Sequence, residues 1–341
     1  MLAPHQFHKT TDNHWSFDCS AVGTLGGKRG FGKIGAGLAP AVLASFGKTS
    51  AFDGFRSSRY TIKVMKVLLW FGTTTAILIL TGILYLLFLK PSNDRNWSPD
   101  QKVLSYADID GDTIKIRNIR NFNYRTTTDY DPSYYDKTFD LKKLKSVWYI
   151  VEPFSGYKGA AHTFLSFGFE GDEYVSISVE IRKQVGESFS AVKGLLRQYE
   201  LMYVIADEKD VVKLRSNYRK DRVFIYPIKT TPDKMRTLFL DMLERTNKLK
   251  EKPEFYNTIW STCTTNIVSH VNKIVPGRVP FRFDILLPAN SDRLAHELGL
   301  IETNLTLDET RKKFEINERA LKYADSPEFS KKIRDTENLA P

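Results

Sequence analysis

The chain has 341 residues, 42% of them hydrophobic and 26% charged, enough to bury at least one sizeable core. Its formal net charge of +10 suggests nucleic acid, but residues 1–66 hold nine Lys/Arg against three Asp/Glu, while the rest hold 41 against 37. The larger part is therefore nearly balanced and has no basic stripe to track phosphates, which argues against a nucleic-acid partner.

Residues 1–66 are basic, Gly-rich around Gly23–Gly37 and without sustained periodicity, the pattern of a disordered cytoplasmic tail. His5, His8 and His14 fall here, but no metal-ligand spacing follows them, and neither a metal nor another cofactor is expected. Met65-Lys66 directly before an apolar run is also how an anchored protein starts. Met1 and Met65 are thus alternative first residues, with the upstream segment a gene-model artefact in the second case.

Val67 to Leu89 is 23 residues without a charge, long enough to cross a hydrocarbon core of roughly 30 Å with some tilt. Soluble core helices of that length show a polar face, whereas this run offers only scattered Thr and Gly. Arg56, Arg59, Lys63 and Lys66 precede it, and Lys90 and Arg95, offset by Asp94, follow. The positive-inside bias places the N-terminus in the cytoplasm and everything after residue 90 across the membrane, as an uncleaved single-pass anchor. Cys19 and Cys263 then lie on opposite sides of the bilayer and cannot pair with each other.

Residues 90–99 are a short polar linker, 100–325 a globular domain and 326–341 a tail. Thr113–Ile119 and Val147–Phe154 read as strands, separated by a loop rich in Tyr, Arg and Asp from Asn121 to Asp136. His162–Phe169 and Tyr174–Arg182 alternate strictly around Glu170-Gly171-Asp172-Glu173, which specifies a β-hairpin. Leu165, Phe167, Phe169, Val175, Ile177, Val179 and Ile181 share its core face. Parity then puts His162, Ser166, Ser176, Ser178, Glu180 and Arg182 together on the other face. A solvated face with incidental pairing is the alternative.

Further on, Ala191–Leu196 is a short helix, Leu201–Ala206 and Val223–Ile228 are strands, and Asp207–Tyr218 includes a helix. Pro232–Leu249 is an amphipathic helix with proline in its first turn. Another helix begins near Cys263, with Ser261 and Thr262 as N-cap residues and Ile267, Val268, Val271, Ile274 and Val275 at helical spacing. Val279–Leu287 reads as extended, Arg293–Leu298 as a short helix and Leu307–Tyr323 as one charged amphipathic helix. Hairpin-connected strands mixed with helices make the fold α+β, a mixed or antiparallel sheet with packed helices behind one transmembrane helix.

A thiol in the first turn of a helix feels the positive end of the dipole and several unpaired N–H groups, both of which favour the nucleophilic thiolate. Cys263 is therefore the candidate nucleophile, His162 its base and Glu180 the group that orients the imidazole. A buried structural cysteine is the alternative. His270 lies seven residues beyond Cys263, two turns away and about 10 Å off, and reads as structural.

The segments Ile116–Phe122, Tyr134–Leu141, Ala161–Phe169, Ile177–Arg182, Arg197–Leu201, Leu214–Arg219 and Cys263-Thr264-Thr265-Asn266 together resemble the Lnb N-terminal periplasmic domain family. The resemblance implies a bacterial periplasmic domain laid out like permuted papain-like folds, with the histidine strand before the cysteine helix. It also implies an acyl thioester on Cys263 with His162 as base; Glu180 rests on strand parity alone. Thr262 stands where the family carries Asn. The function so implied is a Cys-dependent acyltransferase on lipid or lipoprotein substrates at the bacterial inner membrane. A Cys-dependent peptidase or amidase of the envelope, and a non-catalytic interaction domain, are the alternatives.

Overall fold

The uncharged run from Val67 falls within one helix, α1 (Ala51–Phe88), of which Arg59–Phe88 is long and apolar enough to cross a membrane. Two of its hydroxyls are satisfied inside the helix: Thr75 and Thr81 donate to the carbonyls of Phe71 and Ile77, 2.8 Å each. The structure is a computed structural model and describes residues 51–156 and 158–336. The basic tail up to residue 50, with His5, His8, His14 and Cys19, lies outside the described residues, as do 337–341. The chain divides between Trp70 and Phe71 into two units, and the sheet, helices and site described next belong to the second.

In chain order the strands are β1 (Tyr106–Asp110), β2 (Thr113–Arg120), the short pair β3 (Asn123–Tyr124) and β4 (Tyr130–Asp131), and β5 (Tyr134–Asp140). They continue with β6 (Leu144–Pro153), β7 (Ala161–Phe169), β8 (Glu173–Arg182), β9 (Glu200–Ala206) and β10 (Phe224–Pro227). All but β3 and β4 join one mixed sheet ordered β1-β2-β9-β8-β7-β6-β10, with β5 on β2. The β2–β9 contact is parallel and the other pairings are antiparallel. The fold is mixed α+β.

The helices after α1 are α2 (Ala191–Leu195), α3 (Glu208–Lys213), α4 (Pro232–Glu251), α5 (Cys263–Ile274) and α6 (Phe283–Leu286). The series closes with α7 (Ser291–Glu297), α8 (Leu307–Phe314), α9 (Asn317–Lys322) and α10 (Phe329–Lys332). α4 and α5 cover the sheet face that carries Leu165, Phe167, Val175 and Ile177, as alternation requires. The other face is not solvated. Phe164, Met202 and Val204 pack there against Val211 and Val212 of α3, Ile316, Ala320 and Phe329, so every residue of β7 is buried.

Three segments differ from their sequence reading. The stretch 279–287 is not extended throughout but holds the turn α6, and the charged helix over 307–323 breaks at Glu315–Ile316 into α8 and α9. The break lets Ile316 bury fully and donate its N–H to the Val223 carbonyl, which an unbroken helix would have withheld. Packing continues past residue 325, where Phe329 and Ile333 are buried and Arg334 pairs with Glu208. The aromatic loop after Asn121 folds into β3 and β4 around the rings of Phe122, Tyr124, Tyr130 and Tyr134, and it packs on Leu214 and Tyr218.

Candidate active site

Local sequence explains how Cys263 comes to open a helix. Thr262 caps α5 by accepting from the Thr265 N–H, and the Thr265 hydroxyl in return accepts from the Thr262 N–H at 2.7 Å. This reciprocal box is the physical role of threonine at position 262. It leaves Cys263 as the first helical residue, with an N–H that has no carbonyl one turn behind it. Asn266, one turn on, is spent on the same cap through the Thr262 carbonyl at 2.7 Å and the Ser261 hydroxyl at 3.2 Å.

The sheet explains how the sulfur reaches His162. β7 stays paired with β6 down to Ala161, and β8 stays paired with β9 up to Arg182. The β7–β8 ladder, however, stops at Phe164↔Ser178, so the two strands part just where His162 and Glu180 would have paired. There the start of α5 meets β7: Thr163 and Thr264 share a hydroxyl contact of 3.0 Å, and the Thr163 main chain and side chain favour the ionised form of Cys263. His162 likewise favours the ionised thiol.

The histidine is held on its other side. Its Nε2 lies 2.7 Å from Ser178 Oγ and 3.4 Å from Glu180 Oε1, and the serine hydroxyl donates to the same carboxylate oxygen at 2.8 Å. With Nε2 so engaged, Nδ1 is the nitrogen left for the sulfur. The imidazole stacks on Phe164 at 5.6 Å, which fixes its plane. Thus Cys263, His162 and Glu180 form one connected set. Ser178 belongs to it, whereas Ser166 turns to Glu208 at 2.5 Å and Arg182 to the carbonyls of Gln101 and Lys102.

Two further groups escaped the sequence reading. Arg215 sits on a π-helical turn over Leu214–Arg219, with Nη2 3.0 Å from Glu180 and Nε 2.6 Å from Glu152. Glu152, opposite His162 on β6, is wholly buried and also meets Arg219 at 3.3 Å. The segment 214–219 is among those that resemble the family, so its arginine was visible but nothing in its spacing pointed to a carboxylate 35 residues upstream.

Burial works against charge on all three groups, and their partners overcome it. Burial would raise the Cys263 thiol, but His162 and the Thr163 main chain and side chain bring it down to about 7. Burial would lower His162, but the charge of Glu180 pushes it up to about 9. His162 and then Arg215 hold the Glu180 carboxyl well below the usual carboxylate range against its burial. The order of proton affinities, thiol below imidazole, favours passing the thiol proton to the imidazole.

His270 lies apart from this set, between Asp241 at 2.6 Å and Tyr203 at 2.8 Å, and burial lowers it. His296 contacts the Leu305 carbonyl at 2.9 Å. Among the described residues no group of His, Cys, Asp and Glu is arranged to hold a metal ion.

An apolar cavity of about 590 Å³ begins at Thr264, the residue after the thiol, and Cys263 itself is not on its wall. It follows α5 from Thr264 past Ile267 and Val271 to Val275, roughly 16 Å at the helical rise. The Thr264 hydroxyl on its wall is 3.7 Å from the sulfur.

All the groups of this set lie on one stretch of chain, and that stretch is the part similar to a known family. Residues 130–289 match the Lnb N-terminal periplasmic domain family. The Lnb match takes in Glu152, His162, Glu180, Arg215 and Cys263, and it leaves out α1, β1 to β3 and everything from α7 onward. A match to a periplasmic-domain family, with an apolar helix ahead of it, fits a single-pass, membrane-anchored protein. No curated protein and no solved structure matches the chain.

Proposed function

We propose that the protein is a thiol acyltransferase of the bacterial inner membrane, with a cytoplasmic N-terminus and a periplasmic site. It would carry an acyl group as a thioester on Cys263 between lipid or lipoprotein substrates. Arg56, Arg59, Lys63 and Lys66 before the span, against Lys90 and Arg95 offset by Asp94 after it, support the orientation. The histidine strand before the cysteine helix agrees with a permuted papain-like layout.

The apolar cavity along α5 carries the choice of substrate. An extended acyl tail can lie along it from the Thr264 end, next to Cys263, and its volume is of ordinary ligand size. A peptide in the same space would find no side-chain partners along the Ile267–Val275 wall, and each amide left unpaired there would cost about 1–3 kcal/mol.

The chemistry follows from the relay. The Cys263 thiolate attacks the acyl ester carbonyl and a C–S bond forms, with the Cys263 N–H at the start of α5 facing the oxyanion. Collapse breaks the C–O bond, and the leaving alkoxide takes the proton of the His162 imidazolium. An acceptor amine then attacks the thioester, His162 takes its proton, and the thiolate departs as the amide forms. Water in place of the amine makes the same site a hydrolase.

The test is to incubate the full-length protein with phosphatidylethanolamine and phosphatidylglycerol vesicles and weigh the peptide that contains Cys263. A hydroxylamine-labile fatty-acyl mass, absent in Cys263→Ala and diminished in His162→Ala, is expected. A thiol that alkylates readily but never acquires an acyl group would refute the reading. Release of cleaved cell-wall peptides instead would identify the envelope hydrolase.

A further inference from the structure

Outside α1, the large exposed apolar side chains are not evenly spread. Val185, Phe189, Val192, Leu195 and Leu196 crowd the connection between β8 and β9, and Trp260, 74% exposed, stands three residues before Cys263. The two segments form one surface. Thr258 donates to the Ala191 carbonyl at 2.7 Å, and α2 approaches so closely that a Cβ at Gly194 would collide with the Thr258 hydroxyl. Such side chains on a folded domain mark a surface that is covered in use.

What covers it is indicated by where it lies. Arg197, directly after α2, donates Nη1 to the Leu86 carbonyl at 3.0 Å, in the last turn of α1. The link that follows is fastened: Ser92 donates to Glu200, Arg95 pairs with Glu200 at 2.8 Å, and Val185 donates to the Asn96 carbonyl. The apolar surface therefore adjoins the point where α1 ends, and Lys193 and Arg197 flank it. Aromatic and aliphatic side chains bordered by cations are the composition of a surface that beds into the headgroup region.

We infer that this surface docks onto the outer leaflet of the bilayer that α1 spans, bedding Phe189, Val192, Leu195 and Trp260 into lipid and setting the Cys263 end of α5 at the membrane surface. The inference rests on the anchor half of the proposed function and not on the thiol chemistry. A docked domain meets membrane-borne substrates along two dimensions, whereas a free one would sample them only at the reach of its tether.

The test uses the full-length protein in phosphatidylethanolamine and phosphatidylglycerol vesicles with acyl chains brominated near the headgroup. The emission of Trp260 is taken as the difference between wild type and Trp260→Phe, and that of Trp70, inside the apolar helix, as the difference from Trp70→Phe. Docking predicts that both components lose at least half their intensity. Val192→Asp with Leu195→Asp should then restore the Trp260 component, while Leu321→Asp on α9 should not. Quenching of Trp70 alone overturns the docking and spares the anchor. Quenching of neither overturns both. A blue-shifted but unquenched Trp260 means that a protein covers the surface, which also overturns the inference.

Discussion

Arg215 and Glu180 meet at 3.0 Å beneath the imidazole of His162, and the same guanidinium holds Glu152 at 2.6 Å. One cation thus ties together two acids, and the Phe164 ring under it, 4.9 Å from the guanidinium carbon, limits how it can shift. The histidine is oriented through this pair.

Replacing Arg215 with Met leaves the wholly buried Glu152 with only Arg219 and takes the counter-charge from Glu180. A loss of about 3–5 kcal/mol is expected, read as a fall in the thermal midpoint of the full-length protein in detergent. Arg215→Lys should recover only part, since an ammonium cannot reproduce the fork that spans both acids. Adding Glu152→Gln to Arg215→Met should return some of the loss. If the double variant is no more stable than the single one, the buried acid is not the source of the cost.

Alkylation of Cys263 by iodoacetamide, followed against pH, should show an apparent pKa near 7 in the wild type, where His162 holds the thiol down. In His162→Ala the supporting charge and hydrogen bond vanish while burial remains, so the apparent pKa should rise above 9. At pH 7 the variant should react roughly ten- to a hundredfold more slowly, because the smaller thiolate fraction is partly offset by higher intrinsic nucleophilicity. Equal rates in the two proteins would dissolve the pair.

Stability should depend on pH at both edges of the His162–Glu180 contact. His162 is raised in the folded state, so its contribution is whole below about 6.5 and is lost as pH climbs through about 9. Glu180 is depressed, so its contribution is present above its unfolded value near 4.5 and is lost as pH falls through the lower folded value. The excess stability of wild type over Glu180→Gln should therefore be greatest between about pH 5 and 6.5 and decline toward pH 9. Thermal melts at pH 5.5, 7.5 and 9.5 decide this, and a difference that grows with pH would contradict it.

Filling the cavity should separate acyl binding from thiol reactivity. Val271→Trp or Val268→Phe places bulk along the wall of α5 beyond Thr264. The thioester formed with long acyl donors should drop at least tenfold while iodoacetamide alkylation stays within twofold of wild type. Overpacking should cost about 1–3 kcal/mol, which the melt reports independently. An unchanged adduct in both variants would mean that the tail lies elsewhere.

Much of this protein was legible along its sequence because the relevant signals are local. The uncharged run from Val67, the alternation on both sides of Gly171 and the cap at Thr262 each depend on a few neighbouring residues, and each corresponds to α1, to the β7–β8 hairpin and to the start of α5. Parity alone placed His162 and Glu180 on one face of that hairpin. Alternation cannot reveal what covers a strand's second face, so the burial of Ser166, Ser176 and Ser178 beneath α3 and the C-terminal helices was not readable. Nor could it show that β7 and β8 part after Phe164, because that divergence is imposed by β6 and β9 holding each strand from outside. The meeting of a sulfur at residue 263 with an imidazole at 162, and of Arg215 with two acids, depends on contacts between segments far apart in the chain. Those contacts are set by how whole layers pack, and no short-range pattern encodes them.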